Sequence, residues 1–520
     1  MLIRNLRSDG QGVGDGTAFL LRRAVERVGL LTSLIVGGCA AGPDFREPEP
    51  PHVAQLSPTP LRGKTPSGAD QQAYVQGLEI PQQWWEVFHC RPLNVIVERA
   101  IAENADLAAA RAAVRIAQAN TDAERGSAAP QVSAGFNASR QKPSTAQASA
   151  SGTSVSPYSL HSGQLSVSYL PDVFGLNRRR VETLAARTEA QHFELEATYL
   201  TLTSRVALAA IEEAALRDEK KATRANIAVG REFLGNLEQQ LDVKDVSRLD
   251  VATQQAALAE IEQMLPPIEK RLAANRDLMT ALTGHLAGEG LAETFEFSCL
   301  KVPRNLPLSL PSEIVRRRPD VRAAEANMHA ATADIGVAVA NRLPQFNLTA
   351  NVGTSASSIS NLVHLTSPFA FWTMAGSAAQ VLFDGFSAEQ RQRAAEAGLD
   401  RAAALYRSAV IGAFQNVADV LQGLEADSTL LAATARGDKA AKLNLDLTRE
   451  MLVLGQVNAQ QLLIAQQLYA RATIATARAK AAIRSDAVLL FQALGGGWSM
   501  QSRWEAVVNA RVAPTRNPPL

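Results

Sequence analysis

Aromatic residues make up only 5% of this 520-residue chain, and it has three cysteines. No uninterrupted apolar run reaches the ~18 residues that a membrane-spanning helix needs, so any crossing of a bilayer has to be made with strands. Formal net charge is +1 and no basic run is longer than three residues, which removes the electrostatic footprint of a nucleic-acid or polyanion binder. There is no P-loop, Rossmann glycine fingerprint or nucleophile elbow. None of the seven histidines stands at a metal-ligand spacing, and His89 beside Cys90 is adjacency without a motif. An enzyme, a metal site and a cofactor are therefore not expected. What the chain does have is length and 46% apolar residues, too many for global disorder and too long for one ordinary domain. It is also rich in Ala, which suits long helices packed closely together.

An odd number of cysteines in an exported chain points to a separate task for one of them. Arg22, Arg23 and Arg27 precede the apolar stretch 28–36, and Gly37, Gly38 and Cys39 follow it, the order of a signal peptide. The run "VGGC" resembles the lipobox of bacterial lipoproteins, which implies cleavage after Gly38 and acylation of Cys39. Three acyl chains at ~0.8 kcal/mol per buried CH₂ exceed what stable anchoring requires. Ala40 rather than Asp after the cysteine implies, by the same resemblance, sorting to the outer membrane. Residues 40 to about 80 are rich in Pro and polar residues, as in an extended tether.

The rest of the chain reads twice. Residues 104–136 align without a gap on 318–350, with Asp106, Ala110, Ala117, Pro130 and Gln131 matching Asp320, Ala324, Ala331, Pro344 and Gln345. In both halves an Ala-rich helical segment ends at a proline and the apolar period then changes from 3.6 to 2. Val132, Ala134 and Phe136 alternate with Ser133, Gly135 and Asn137; Phe346, Leu348 and Val352 stand on one face against Asn347, Thr349 and Asn351. A loop and a return segment follow each: Leu165, Val167 and Tyr169 alternate clearly in the first, whereas the second, near Phe371 to Phe383, alternates poorly.

A turn then opens a long helical stretch in each half. From about 176 to 241 there is no proline, and Phe193, Ala197, Leu200, Ser204, Ala207, Ile211 and Ala214 step by four and three, the seam of a coiled coil. At ~1.5 Å per residue such a helix reaches ~100 Å. Return arms are expected from about 248 to 285 and, after a turn near Gly455, to about 492. Two strand pairs per chain are four strands, too few to close a barrel in lipid, where open edges are untenable. Three chains would supply twelve, within the range of outer-membrane pores, with the Ser, Asn and Gly face lining water.

The segments "CAAGPDF" (39–45), "WWEVF" (84–88), "SRLDVA" (247–252), "PSEIVRRRPDVRAAEA" (311–326), "ADIGVAVANRLPQFNLTA" (333–350), "LFDG" (382–385) and "ALGGGW" (493–498) carry a resemblance to a known family. Over roughly 39–498 the chain is similar to the TolC-like outer-membrane factors of tripartite efflux pumps, in their OprM/NodT-type lipoprotein branch. The resemblance implies a mainly α fold with a membrane β-barrel: a homotrimer whose twelve-stranded β-barrel continues into a long periplasmic α-helical barrel. It implies a periplasmic adaptor protein and an inner-membrane RND-type transporter as partners, outer-membrane lipid around the barrel, and passive gated conduction of small molecules such as drugs. The domains expected are a signal peptide (1–38), a lipid-anchored linker (39–80), a first repeat (81–300), a second repeat (301–498) and a tail (499–520).

By the same resemblance the hairpin turns at 242–248 and 454–460 form the gating and adaptor-docking tip, which brings forward Asp242, Lys244, Asp245, Arg248, Asp250, Gly455, Gln461 and Ile464. Bottom-up, the first of these are equally turn and cap residues, with Asp245 or Ser247 as an N-cap. Where many relatives place Gly, the first turn has Lys244; where they place Asp, the second has Gln461 and Ile464. Closure is then expected to rely on packing and on Asp250 with Arg248. Arg316, Arg317 and Arg318 before Pro319 and Asp320 read as one helix end followed by a proline-initiated helix. Cys90 and Cys299 flank the first half and either pair in an oxidising periplasm or remain free. Two other readings stand beside the efflux duct: a duct for type I protein secretion, and a lipid-anchored periplasmic coiled-coil scaffold without a pore. The alternating runs after Pro130 and Pro344 weigh against the scaffold.

Overall fold

The computed structural model describes residues 40–49, 71–142, 156–244, 246–308, 311–362 and 369–496. The expected signal peptide, Cys39, Asp245 and the tail 499–520 lie outside the described residues. In chain order the first half contains β1 (Ala73–Gln76), a 3₁₀ turn (Trp84–Phe88), α1 (Arg91–Glu103), α2 (Ala105–Ser127), β2 (Gln131–Gln141), β3 (Tyr158–Tyr169), α3 (Leu176–Asp242), α4 (Arg248–Glu262) and α5 (Leu265–Leu282). The second contains β4 (Asn305–Leu308), α6 (Pro311–Arg317), α7 (Pro319–Ala340), β5 (Gln345–Ala356), a short α8 (Ile359–Leu362), β6 (Ala370–Ala379), α9 (Ser387–Val453) and α10 (Ala459–Ala493). A helix, two strands, a very long helix and its return thus occur twice. The backbone divides into one compact unit of Met1–Arg46, Ala117–Thr188 and Asn327–Ala402, and another of Glu47–Ile116, Glu189–Ala326 and Ala403–Leu520.

The first unit holds an antiparallel sheet in the order β2-β3-β5-β6. Its register places Val132 opposite Val167, Val167 opposite Ala350 and Ala350 opposite Met374. A second row runs from Ala134 through Leu165 and Val352 to Trp372. Facing residues in register share one side of a sheet, so these rows form one apolar face. Val132, Phe136, Trp372 and Met374 on it are 63% to 81% exposed, an arrangement suited to lipid rather than to water. The opposite face aligns Ser133, Ser166, Asn351 and Thr373, and Asn351 Nδ2 donates to Thr373 Oγ1 at 3.1 Å. The poorly alternating return segment is a strand after all, but it ends at Ala379 rather than running on to Phe383. Its irregularity comes from Phe371, which stands in the row of Gly135, Gln164 and Gly353 on the polar side.

In the second unit five of the seven residues of the coiled-coil seam are buried: Leu200, Ser204, Ala207, Ile211 and Ala214 are all 6% exposed or less, while Phe193 and Ala197 are half-buried. A fully buried Leu or Ile contributes ~1.5–3 kcal/mol relative to its exposed state, and such a seam repeated over 67-residue helices holds each long helix against its return arm. The expected single arm from 248 to 285 is two helices, because Pro266 and Pro267 can only start a helix; the chain breaks at Gln263 and Met264 and resumes with both prolines in the first turn. Trp84 stacks on Phe491 with ring centroids 5.6 Å apart and Trp85 lies 6.4 Å from Tyr199, so "WWEVF" is a core anchor. The stretch 39–80, expected to be linker, contains β1, which pairs in parallel with β4 through Ala73–Asn305 to Gln76–Leu308. Cys90 and Cys299 form a disulfide.

Candidate functional site

The two hairpin turns belong to the second unit and repeat one geometry. In the first, α3 ends at Asp242 and the Lys244 amide donates to the Leu241 carbonyl at 2.9 Å. Lys244 has φ +64, and Gly455 at the corresponding place in the second turn has φ +69. Only glycine adopts that left-handed backbone without steric cost, so the departure noted at Lys244 carries a physical penalty. Ser247 and Asn458 are the N-caps of the return helices, with Ser247 Oγ accepting from the Asp250 amide and Asn458 Oδ1 from the Gln461 amide.

Asp250 completes a capping box: its carboxylate accepts from the Ser247 amide at 3.0 Å and from Ser247 Oγ at 2.7 Å. Those bonds, the hydroxyl first and the backbone second, hold its pKa below the usual carboxylate value. Asp250 is thus bonded to Ser247 within its own turn, and among the described residues Arg248 and Asp242 form no ion pair within the chain. The sequence signal for this was already there, since Ser-x-x-Asp before a helical run is a capping-box pattern.

The turns present apolar side chains to solvent beside the exposed Asp242, Lys244, Arg248 and Asp250. Val243 and Leu249 are each 75% exposed, Val453 is 87% and Leu454 69% exposed, and Ile464 also stands outward. Behind them Leu445, Leu462 and Ala465 form a buried cluster with Phe233, Leu452 and Tyr469 packed on it, so α3 of the first hairpin is bonded by apolar contact to α9 and α10 of the second. Higher on the same helices, the buried Glu219 of α3 receives Arg478 Nε of α10 at 2.8 Å, with Arg271 of α5 3.7 Å away. An open groove of about 530 Å³ runs beside this pair, floored by Ile474 and Ala479 and flanked by Met264, Leu430 and Arg471.

In the first unit, the residues that follow Cys39 are fastened down. Arg179, whose side chain is 4% exposed, donates to the Ala41 carbonyl at 3.0 Å and pairs with Asp44 and Glu182, each at 2.7 Å. Phe45 stacks on His329 with centroids 4.4 Å apart, and His329 is paired with Glu182. A methyl group on Gly336 would fall 2.8 Å from the Ala41 carbonyl, which explains why that helix position is glycine. Neither Arg179 nor His329 stood out in the sequence, where each is one charged residue on a helix face.

The family model described as outer membrane efflux protein matches residues 96–285 and 310–496, one match in each half. The pyoverdine export outer membrane protein OpmQ of Pseudomonas putida is 27% identical over 459 residues, which cover 88% of this chain and 95% of that one. Outer membrane protein OprJ of Pseudomonas aeruginosa is 29% identical over 478 residues, 90% of this chain and 95% of its own. Among solved structures, the CmeC outer membrane channel of Campylobacter jejuni superposes with a TM-score of 0.80 over 91% of this chain and 98% of that one, at 19% identity.

Proposed function

This chain belongs to the outer membrane efflux protein family, and on that premise we propose that three copies form a passive, gated duct through which a partner pump expels small molecules. Its fold is TolC-like, and it is an efflux channel protein of the outer membrane. The observation that carries the trimer is the sheet: four strands with β2 and β6 at its edges and apolar rows across one face. Such a sheet cannot stand in lipid alone, because every unpaired N–H and C=O there costs several kcal/mol. Two further sheets, edge to edge, close twelve strands around the Ser, Asn and Thr face.

Acylated Cys39 then begins a segment that Arg179 and His329 hold in place, and the leader before it is removed. The turns, with Val243, Leu249, Val453 and Leu454 exposed, form the tip at which a periplasmic adaptor and an RND-type transporter engage. We assign Asp242, Lys244, Asp245, Arg248, Asp250, Gly455, Gln461 and Ile464 to that tip, where the Asp250 side chain first completes the Ser247 cap. The duct has no chemistry of its own, since conduction needs only the open lumen and the pump supplies the energy. Purified protein in mild detergent is expected to run as a trimer on an unheated gel and as a monomer after heating, and to give discrete conductance steps in a planar bilayer. A detergent-stable monomer without channel activity would refute the proposal.

A further inference from the structure

Inside the first unit, the segment that follows Cys39 is docked from its first described residue. A side chain on Gly175, in the turn between β3 and α3, would begin 3.0 Å from the Ala40 Cα atom, and the Ala41 amide donates to the Phe174 carbonyl at 3.1 Å. Arg179, in the first turn of α3, donates to the Ala41 and Gly42 carbonyls at 3.0 and 3.4 Å and to Asp44 Oδ1 at 2.7 Å. Gly42, at φ +88, passes so close to α7 that a methyl group on it would fall 2.5 Å from the Gly336 Cα atom. Phe45 then stacks on His329. Two helices and one turn therefore grip residues 40–45, and no free linker separates that grip from Cys39.

The turn that receives Ala40 and Ala41 stands at the foot of the sheet's apolar face. The Phe174 ring lies 6.3 Å from that of Phe346 in β5. Phe346 pairs with Ala378, and Leu348 with Tyr169 and Gly376, which continues the rows of Ala350 and Val352 downwards on the same face. Leu348 and Val352 are half exposed, and from Phe346 to Val352 the face rises ~20 Å at ~3.3 Å per residue. We propose that residues 40–45 are a clasp that delivers the acyl chains of Cys39 onto this face, at Phe174, Phe346 and Leu348, with Arg179 as its positioning residue. The inference rests on the acylation of Cys39. Consecutive Cα atoms are ~3.8 Å apart, so the chains start about that far from the Ala40 contact. A flexible tether of n residues would instead spread its end over ~5–6 Å × √n and dilute what it carries. In lipid an acyl chain gains little by choosing protein over other lipid. Occupancy of the patch therefore depends on the clasp, and little on the patch's own affinity.

The test feeds cells that express the full-length protein a fatty acid with a diazirine in its chain, irradiates them, and maps the crosslinks in the purified, digested protein by mass spectrometry. An anchor lying on its own sheet joins the N-terminal peptide to segments 169–175 and 345–352, whereas an anchor lying in bulk lipid acquires phospholipid masses. Wild type is expected to give the joined peptides as its main product. Arg179→Ala is expected to lower their yield severalfold, and so is the double variant Asp44→Ala with Phe45→Ala. The double variant alters only the gripped segment, so the test stands even if Arg179→Ala fails to fold. An acylated wild-type peptide joined to phospholipid alone, or a yield unchanged in the double variant, would overturn the clasp while leaving acylation intact. An N-terminal peptide without acyl mass would overturn the reading of Cys39 and the clasp with it, and the same spectrum tells the two failures apart.

Discussion

The sulfurs of Cys90 and Cys299 are bonded across a sequence separation of 209 residues, which ties the start of α1 to the segment before β4. Closing a loop of that size removes unfolded-state entropy worth ~5 kcal/mol at 25 °C in the chain-entropy model. Replacing both cysteines by serine is therefore expected to lower the urea midpoint by an amount equivalent to as much as ~5 kcal/mol. Alkylation of unfolded, unreduced protein should label neither position. Two reactive thiols there would contradict the pairing.

Lys244 is held at φ +64 where its counterpart in the second turn is Gly455. A non-glycine residue there costs ~1 kcal/mol, whereas glycine gives back part of that through its larger unfolded-state entropy. Lys244→Gly should thus stabilise the first hairpin by ~0.5 kcal/mol or slightly more, read as slower exchange of the amides on either side of the turn. A destabilised Lys244→Gly protein would mean that the lysine side chain makes a contact worth more than the backbone strain.

The order of the elements was legible because its causes are local. Pro130 and Pro344 end helices, strands begin at Gln131 and Gln345, and the seam from Leu200 to Ala214 is written in steps of three and four. What escaped reading depends on distant partners. The strand Ala73–Gln76 is four residues long and exists only because Asn305–Leu308 lies beside it; neither has enough length to alternate. The disulfide could not be chosen from spacing, because three cysteines fix no pairing. Asp250 is brought forward as a gate residue by resemblance and, with equal weight, the turn reads as a helix cap; the bonds of its carboxylate to Ser247 three residues earlier make the cap local to the chain.

That capping box carries a pH signature. Because the Ser247 bonds lower the Asp250 pKa, their contribution is present above the ordinary carboxylate pKa near 4 and is lost as pH falls through the lower folded value. Ser247→Ala should reduce first-hairpin stability at pH 6 by ~1 kcal/mol, and the difference from wild type should shrink below pH 4. Amide exchange of residues 250–254 at stepped pH provides the measurement. A difference that stayed constant down to pH 3 would show that Asp250 takes no part in the cap.

Glu219 and Arg478 form an asymmetric pair, since the glutamate side chain is 1% exposed and the arginine 62%. Removing the exposed partner leaves a buried carboxylate with only Arg271, 3.7 Å away, to compensate it. Removing the buried partner leaves arginines that water can solvate. Arg478→Met is therefore expected to cost ~3 kcal/mol and Glu219→Gln clearly less, although both break the same bonds. In the double variant the two effects should fail to add, leaving a coupling of ~1–2 kcal/mol. Denaturant midpoints of the four proteins of the cycle decide it. Equal costs for the two single variants, or strict additivity, would mean that the link between the two hairpins rests on apolar packing such as that of Phe233 on Leu445 and Leu462, with the ion pair an ornament of the helix surface.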